Sequence, residues 1–225
     1  MEPTIPADPQ LAEPAVERRG RFLVLEGIDG CGKTTQIEAL KAWLPCSGLM
    51  APGAQVIVTR EPGGTALGAA LRQLLLHPPG EAAPEPMAEL LLYAADRAQH
   101  VEQLVRPALA AGNWVLSDRF SGSTAAYQGY GRGLDLGRIA QLEQLAAGGL
   151  APDLTLWLEL SLVDSLHRRG GRATDRIEAS GDAFMQRVVE GFATLARERS
   201  WERVDASQAP ELVTAACLTL LKASL

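Results

Sequence analysis

Cysteine is scarce in this chain. Its three cysteines, Cys31, Cys46 and Cys217, are too few and too scattered for a disulfide framework or a zinc site, and they point to a reducing, cytoplasmic setting. Positive charge is also short: 21 Lys and Arg stand against 27 Asp and Glu, for a net charge of −6. That excludes a broad nucleic-acid-binding face, which needs clustered cations, but it leaves room for a local basic patch around a small anion. No apolar run reaches the roughly 18 residues of a membrane span, so no membrane partner is expected. The first 20 residues lack the apolar core of a secretion signal. Residues 1–19 are rich in Pro, Glu and Ala without helical periodicity and read as a disordered tail, either regulatory or an extension with no role. What remains, 20–225, suits one globular domain in a chain that is 47% hydrophobic.

Short apolar runs alternate with helical patterns along that domain. "RFLVLEG" predicts a buried strand, followed by a helix from Thr34 to Leu44. Gln55–Thr59 predicts a second strand, stopped by Pro62-Gly63-Gly64, with a helix over Ala66–Leu76 behind it. Pro86–Ala110 reads as one long helical stretch that Pro107 would kink or break. "NWVLSDR", "PDLTLWLEL" and "WERVDAS" supply three more strands. Helices are expected between and after them over Ser121–Ala147, interrupted near "GYGRG", and over Ser161–Arg169, Gly181–Glu198 and Pro210–Leu221. Such alternation implies an α/β fold with a parallel sheet of about five strands, covered by helices on both faces. Ligands in these sheets bind beyond the carboxyl ends of the strands, and every unusual motif in this sequence falls at such an end.

The first is "GIDGCGKTT", Gly27 to Thr35. Gly27, Gly32, Lys33 and Thr34 fit the pattern G-x-x-x-x-G-K-S/T without a mismatch, with a strand before and a helix after. The glycines let backbone N–H groups of Gly27, Ile28, Asp29, Gly30, Cys31 and Gly32 turn inward around phosphate oxygens, and the helix adds the positive end of its dipole. Lys33 reaches the β- and γ-phosphates of ATP, while Thr34 offers a hydroxyl to Mg²⁺. Asp118, closing "WVLSDR", is the carboxylate for the same metal; an Asp after a strand also commonly caps a helix. Together these features imply the three-layer P-loop fold.

A base-reading N-K-x-D element is missing, as is a second lysine at position 28 or 29, and the chain is short for a motor ATPase. That leaves a small kinase with an anionic acceptor, which needs cations, an aromatic surface and a cover that excludes water. Arg72, Arg97 and Arg119 are the cations, since the guanidinium fork donates to phosphate in pairs. Tyr93 lies four residues before Arg97 on one helix face, where it serves as a stacking ring or as an ordinary core tyrosine. "HRRGGRATDRIE", about residues 167–178, is the cover: a short mobile lid with glycines for movement, or a solvated basic loop.

In this order and spacing, "GIDGCGKTT", "TREPGGT", "LLLYAADRAQHVE", "DRFSGSTAAYQGYGRG", "APDLTLWLEL" and "DRIE" resemble the bacterial thymidylate kinases, which pass a phosphate from ATP to dTMP. The resemblance runs from about Arg21 to the C-terminus and implies residue roles. Asp29 corresponds to the loop carboxylate near the acceptor ribose, and Glu61 to an acid beside the acceptor phosphate. Arg72 and Arg119 correspond to the arginines that hold that phosphate. Tyr93 stands where the family usually has a stacking Phe. Arg97 matches the arginine that reads the thymine edge, with Thr124 and Gln128 as further base contacts and Tyr127 as the bulk opposing a ribose 2′-hydroxyl. Gly30 stands where one branch of the family carries an arginine, so the Arg-rich lid resembles the branch in which the lid supplies that cation, with Arg169 the first choice and Arg172 the second. The resemblance also implies a homodimer, through apolar helix faces between residues 70 and 150. Another nucleotide or nucleoside kinase, and a non-catalytic ATP-dependent switch, are the competing classes.

Overall fold

In the computed structural model, residues 20–80, 83–171 and 175–225 are described; the expected tail, 1–19, and Arg172 lie outside them. The strands are β1 (Phe22–Glu26), β2 (Val56–Arg60), β3 (Trp114–Asp118), β4 (Leu154–Glu159) and β5 (Glu202–Asp205). The helices are α1 (Lys33–Trp43), α2 (Ala66–Leu76), α3 (Pro86–His100), α4 (Arg106–Ala110), α5 (Ser121–Thr124), α6 (Leu136–Ala147), α7 (Leu162–Arg169), α8 (Asp182–Glu198) and α9 (Pro210–Ser224). The five strands form one sheet in the order β2-β3-β1-β4-β5, with every neighbouring pair parallel. Among the described residues no helix is long and apolar enough to cross a membrane.

The central strand β1 is buried throughout, which explains why Phe22–Leu25 is continuously apolar rather than alternating, with the buried Glu26 closing the strand. Its side chains still divide by the two-residue pleat. Leu23 and Leu25 enter a core with Leu116, Leu156, Ile37 and Leu40, whereas Phe22 and Val24 enter a second core with Val115, Val101 and Val105. A sheet with a core on each face needs helices on each face, so the alternation read from sequence is satisfied by this packing.

Two helical stretches depart from regular α geometry. Pro107 does not break the long stretch that begins at Pro86. A wide turn, Val101–Val105, joins α3 to α4, and the Arg106 N–H bonds back five residues to the Val101 carbonyl. That widened turn lies directly before the proline, whose missing N–H and ring would otherwise break the regular ladder. A second wide turn, Ala125–Gly131, follows α5, and irregular chain at 132–135 then separates it from α6. It carries Tyr127 and Gln128, both buried.

Register decides where the site forms. Leu25 pairs with Asp118, and Asp118 pairs with Arg60, so β1, β2 and β3 end at one rim. The chain leaving each of these strands carries one of the motifs: Gly27–Gly32, Glu61–Gly64 and Arg119–Phe120.

Candidate active site

The loop after β1 is built for an anion. Gly27 has φ 139°, and a Cβ there would stand 2.6 Å from the Leu158 carbonyl oxygen, so only glycine fits. Gly32 precedes α1 with φ 95°, and no side chain caps the first turn, so its N–H groups are left for a ligand. Lys33 is buried, and its Nζ donates to the carbonyls of Gly27 (3.1 Å) and Ile28 (3.0 Å). The ammonium thus rests on the very loop that phosphates would occupy. Cys31 lies under it at 3.8 Å; burial pushes its thiol pKa up, so it is a neutral filler rather than a nucleophile.

Beside the loop, Thr34 and Asp118 line one recess with Thr59, Arg60 and Glu38. Asp118 Oδ1 is buried and makes no hydrogen bond. An orphaned carboxylate oxygen beside a free hydroxyl fits a hard cation such as Mg²⁺. Among the described residues no cluster of His, Cys, Asp and Glu would hold a metal unaided, so phosphate oxygens would have to complete the shell. Thr34 and Thr35 are both exposed on the first turn of α1.

A second cleft opens on the other side of the loop. Asp29, Glu61, Arg72, Tyr93, Arg97, Arg119, Thr124, Tyr127 and Gln128 all line it, so the residues expected at an acceptor site do converge. Arg119 is the hinge of the arrangement. It adopts φ 73°, a left-handed conformation that costs a non-glycine residue energy and here swings the side chain back over the loop. One terminal nitrogen donates to the Gly27 carbonyl and Ser123 Oγ, each at 2.9 Å, and the other to Asp29 Oδ1 at 2.8 Å. The guanidinium also lies 5.3 Å from the centre of the Tyr127 ring, whose hydroxyl donates to Asp29 Oδ2 at 3.3 Å. Burial opposes ionisation of Asp29, but the Arg119 and Lys33 charges outweigh it and hold the carboxyl well below the usual range.

Arg72 donates to the Pro62 carbonyl at 3.1 Å; burial and the Arg60 charge lower its pKa. Tyr93 remains a neutral phenol, since burial and then the Glu89 charge push its pKa up. Arg97 is 2% exposed and lies deeper than expected of a base-reading group. Its Nε donates to Glu61 (2.8 Å), one terminal nitrogen to Glu143, and the other to Thr124 Oγ1 (3.0 Å). Glu61 in turn is held by His100 Nδ1 at 2.7 Å, and His100 Nε2 meets Thr59 Oγ1 at 2.7 Å. Both Glu61 oxygens are therefore engaged inside the protein. At least three of the five N–H donors of Arg97 are thus spent inside the protein.

On the far side, Ser165 of α7 donates to the Asp29 carbonyl at 2.7 Å, which docks the helix onto the loop. Gly30 has φ 78°, and a Cβ there would meet the Ser165 carbonyl oxygen at 3.2 Å and Arg169 Cγ at 3.3 Å. The space that a loop side chain would take is thus held by the stem of Arg169. Its NH1 lies 3.1 Å from Glu178 Oε1, yet Nε and NH1 are buried and make no hydrogen bond. Nε, buried without any partner, is the donor left for an anion at the loop, because a buried N–H without a partner costs about 1–3 kcal/mol.

Sequence reasoning passed over Glu26, Glu89, Asp96, His100 and Glu143, all buried polar groups around this cleft. A signal existed for three of them. Glu89, Tyr93, Arg97 and His100 follow a 4-4-3 spacing, with Asp96 alongside, which puts a polar stripe on the core-facing side of α3.

A family model described as thymidylate kinase matches residues 25–217. A thymidylate kinase from Synechococcus sp. (strain RCC307) is 71% identical over 195 residues, 87% of this chain and 92% of that protein. One from Prochlorococcus marinus (strain MIT 9313) is 68% identical over 203 residues, 90% and 94% of the two chains. The crystal structure of thymidylate kinase from Ehrlichia chaffeensis superposes with a TM-score of 0.73 at 31% identity, covering 91% of this chain and 99% of the other. With the P-loop, the docked helix α7 and the Arg-lined cleft arranged as described, this chain belongs to the thymidylate kinase family.

Proposed function

We propose that this chain passes the γ-phosphoryl group of ATP directly to the 5′-phosphate of dTMP, giving dTDP and ADP within dTTP biosynthesis. The observation that carries the reading is the Arg119–Asp29 pair at 2.8 Å, which joins the ATP loop to the acceptor cleft across one rim. ATP takes the loop, and Lys33 exchanges the Gly27 and Ile28 carbonyls for phosphate oxygens. Arg72 and Arg119 hold the acceptor phosphate. A phosphate monoester is already largely ionised at neutral pH, so its oxygen attacks without a general base. Rate comes from alignment and from charge stabilisation on the transferred group. Arg169 supplies that cation from the lid side, with Arg172 the second choice. Thr34 and Asp118 would hold Mg²⁺, which when bound neutralises charge on the phosphate oxygens.

For the acceptor, Tyr93 stacks on the base, while Arg97, Thr124 and Gln128 meet its edge. Glu61 fixes Arg97, and Tyr127 opposes a 2′-hydroxyl beside Asp29. The chain works in the cytoplasm as a homodimer; exposed Leu67 and Leu74 on α2, Met87 and Leu91 on α3, and Leu145 on α6 support a partner-covered face. Residues 20–225 carry the whole site as one unit.

An ADP-release assay at fixed ATP with dTMP, dUMP, dCMP and thymidine tests the reaction. Saturation by dTMP, lost in Lys33→Ala, is expected. ATP hydrolysis that ignores every acceptor would overturn it in favour of a switch.

A further inference from the structure

Glu89 is completely buried on α3, yet it carries no part of the chemistry described above. Its two oxygens accept four hydrogen bonds from three residues on two separate segments. Oε1 accepts from Gln128 Nε2 at 2.8 Å and from Arg132 Nε at 3.3 Å. Oε2 accepts from an Arg132 terminal nitrogen at 3.2 Å and from one of Arg176. Arg176 is itself strapped to the end of α2, donating from Nε to the Leu75 carbonyl at 2.8 Å. Its neighbours Asp175 and Ile177 form part of the cleft wall. Burial opposes ionisation of Glu89, but the hydrogen bonds from Arg132, Gln128 and Arg176 outweigh it and hold the carboxyl below its ordinary range.

An ionised carboxylate accepts and never donates. The Gln128 atom facing Glu89 must therefore be the amide nitrogen, which leaves the carbonyl Oε1 as the atom that Gln128 presents to the cleft it lines. A carbonyl matches a ring N–H, which thymine and uracil have at N3, and repels the bare ring nitrogen that cytosine has there. We infer that Glu89 is a positioning residue for base selection. It fixes the Gln128 amide with its acceptor toward the cleft, and through Arg176 it fixes the Asp175–Ile177 wall against the same base. One carboxylate thus sets both the polarity of the recognition group and the closeness of the wall. This rests on the assignment of Gln128 as a base contact.

The test compares kcat/KM for dTMP and dCMP in the wild type, Glu89→Gln, Gln128→Ala and the double variant. Glu89→Gln is nearly isosteric but can donate as well as accept, so the Gln128 amide is free to turn over. The dTMP preference is expected to fall about tenfold or more, within the range that loss of a supporting hydrogen-bond partner produces. The loss should appear mainly in the KM for dTMP, with the KM for ATP unchanged. In the Gln128→Ala background, Glu89→Gln should leave the preference where it is. An unchanged preference in Glu89→Gln, or an equal fall in both backgrounds, would overturn the inference. If Gln128→Ala keeps the wild-type preference, it is the base-contact assignment that fails. A measurement on the wild type covers the case in which the variants do not fold. The Gln128 side-chain amide protons should exchange with solvent more slowly than those of the exposed Gln141, and equal exchange would overturn the proposal.

Discussion

Asp96 shows how a single buried side chain tunes this molecule. It is 1% exposed, Oδ1 accepts the Gly63 N–H at 3.0 Å, and Oδ2 has no hydrogen-bond partner. Burial, and then the neighbouring Glu61 charge, raise its pKa from 3.8 to about 6. A carboxyl whose folded pKa is raised stabilises the fold fully below its unfolded value and loses that contribution as pH climbs through the folded one. Unfolding free energy should therefore drop by about 2–3 kcal/mol between pH 4 and pH 7 on account of Asp96 alone. Glu143, raised by burial to about 7, steepens the same decline. Asp96→Asn mimics the neutral form and keeps the acceptor for Gly63. Urea titrations across this range should show a shallower slope in the variant; parallel curves would refute the assignment. Arg97 marks the limit of sequence reading at this scale. Its type and its spacing from Tyr93 were legible, and it does line the cleft. Its burial between Glu61 and Glu143 was not, because Glu143 comes from α6, 46 residues away. Nothing local announces that partner.

At the scale of elements, the junction of α7 with the phosphate loop carries the prediction. Gly30→Ala would force a side chain into a left-handed position, at about 1–2 kcal/mol, and drive it against Ser165 and Arg169. Either these neighbours yield by a few tenths of an ångström or α7 shifts, and both displace Arg169. We expect kcat to fall by about ten- to hundredfold, the scale of a small misplacement of a reacting group. ATP affinity should change much less. Equal kcat in variant and wild type would mean that α7 does not position the lid cation. Most strand and helix ends were readable to within one or two residues, because apolar runs and the Pro and Gly stops are local signals; α9 runs three residues past the expected Leu221, where no such stop occurs. The wide turns at Val101–Val105 and Ala125–Gly131 were not, since their hydrogen-bond spacing follows from packing rather than composition. The second of them matters most, because it carries Tyr127 and Gln128 into the cleft.

For the whole molecule, the parallel order β2-β3-β1-β4-β5 brings loops from β1, β2 and β3 to one rim. That convergence was foreseeable, because strands alternating with helices put all ligand-facing ends on one side. The assembly state belongs to the same scale. Leu91 is 51% exposed and Leu145 78%, and the proposed homodimer would cover them. Sedimentation velocity should return a dimer, and Leu91→Glu should shift it toward monomer; a wild-type monomer at micromolar concentration would remove the homodimer. The Arg119–Asp29 bridge has a thermodynamic corollary. In the proposed reaction, Asp29 belongs to the loop that receives the donor nucleotide, and Arg119 to the wall that receives the acceptor. On that reading, each ligand would reset a group that serves the other. Linkage then demands a reciprocal effect: whatever factor dTMP imposes on the dissociation constant of ATP, ATP imposes on that of dTMP.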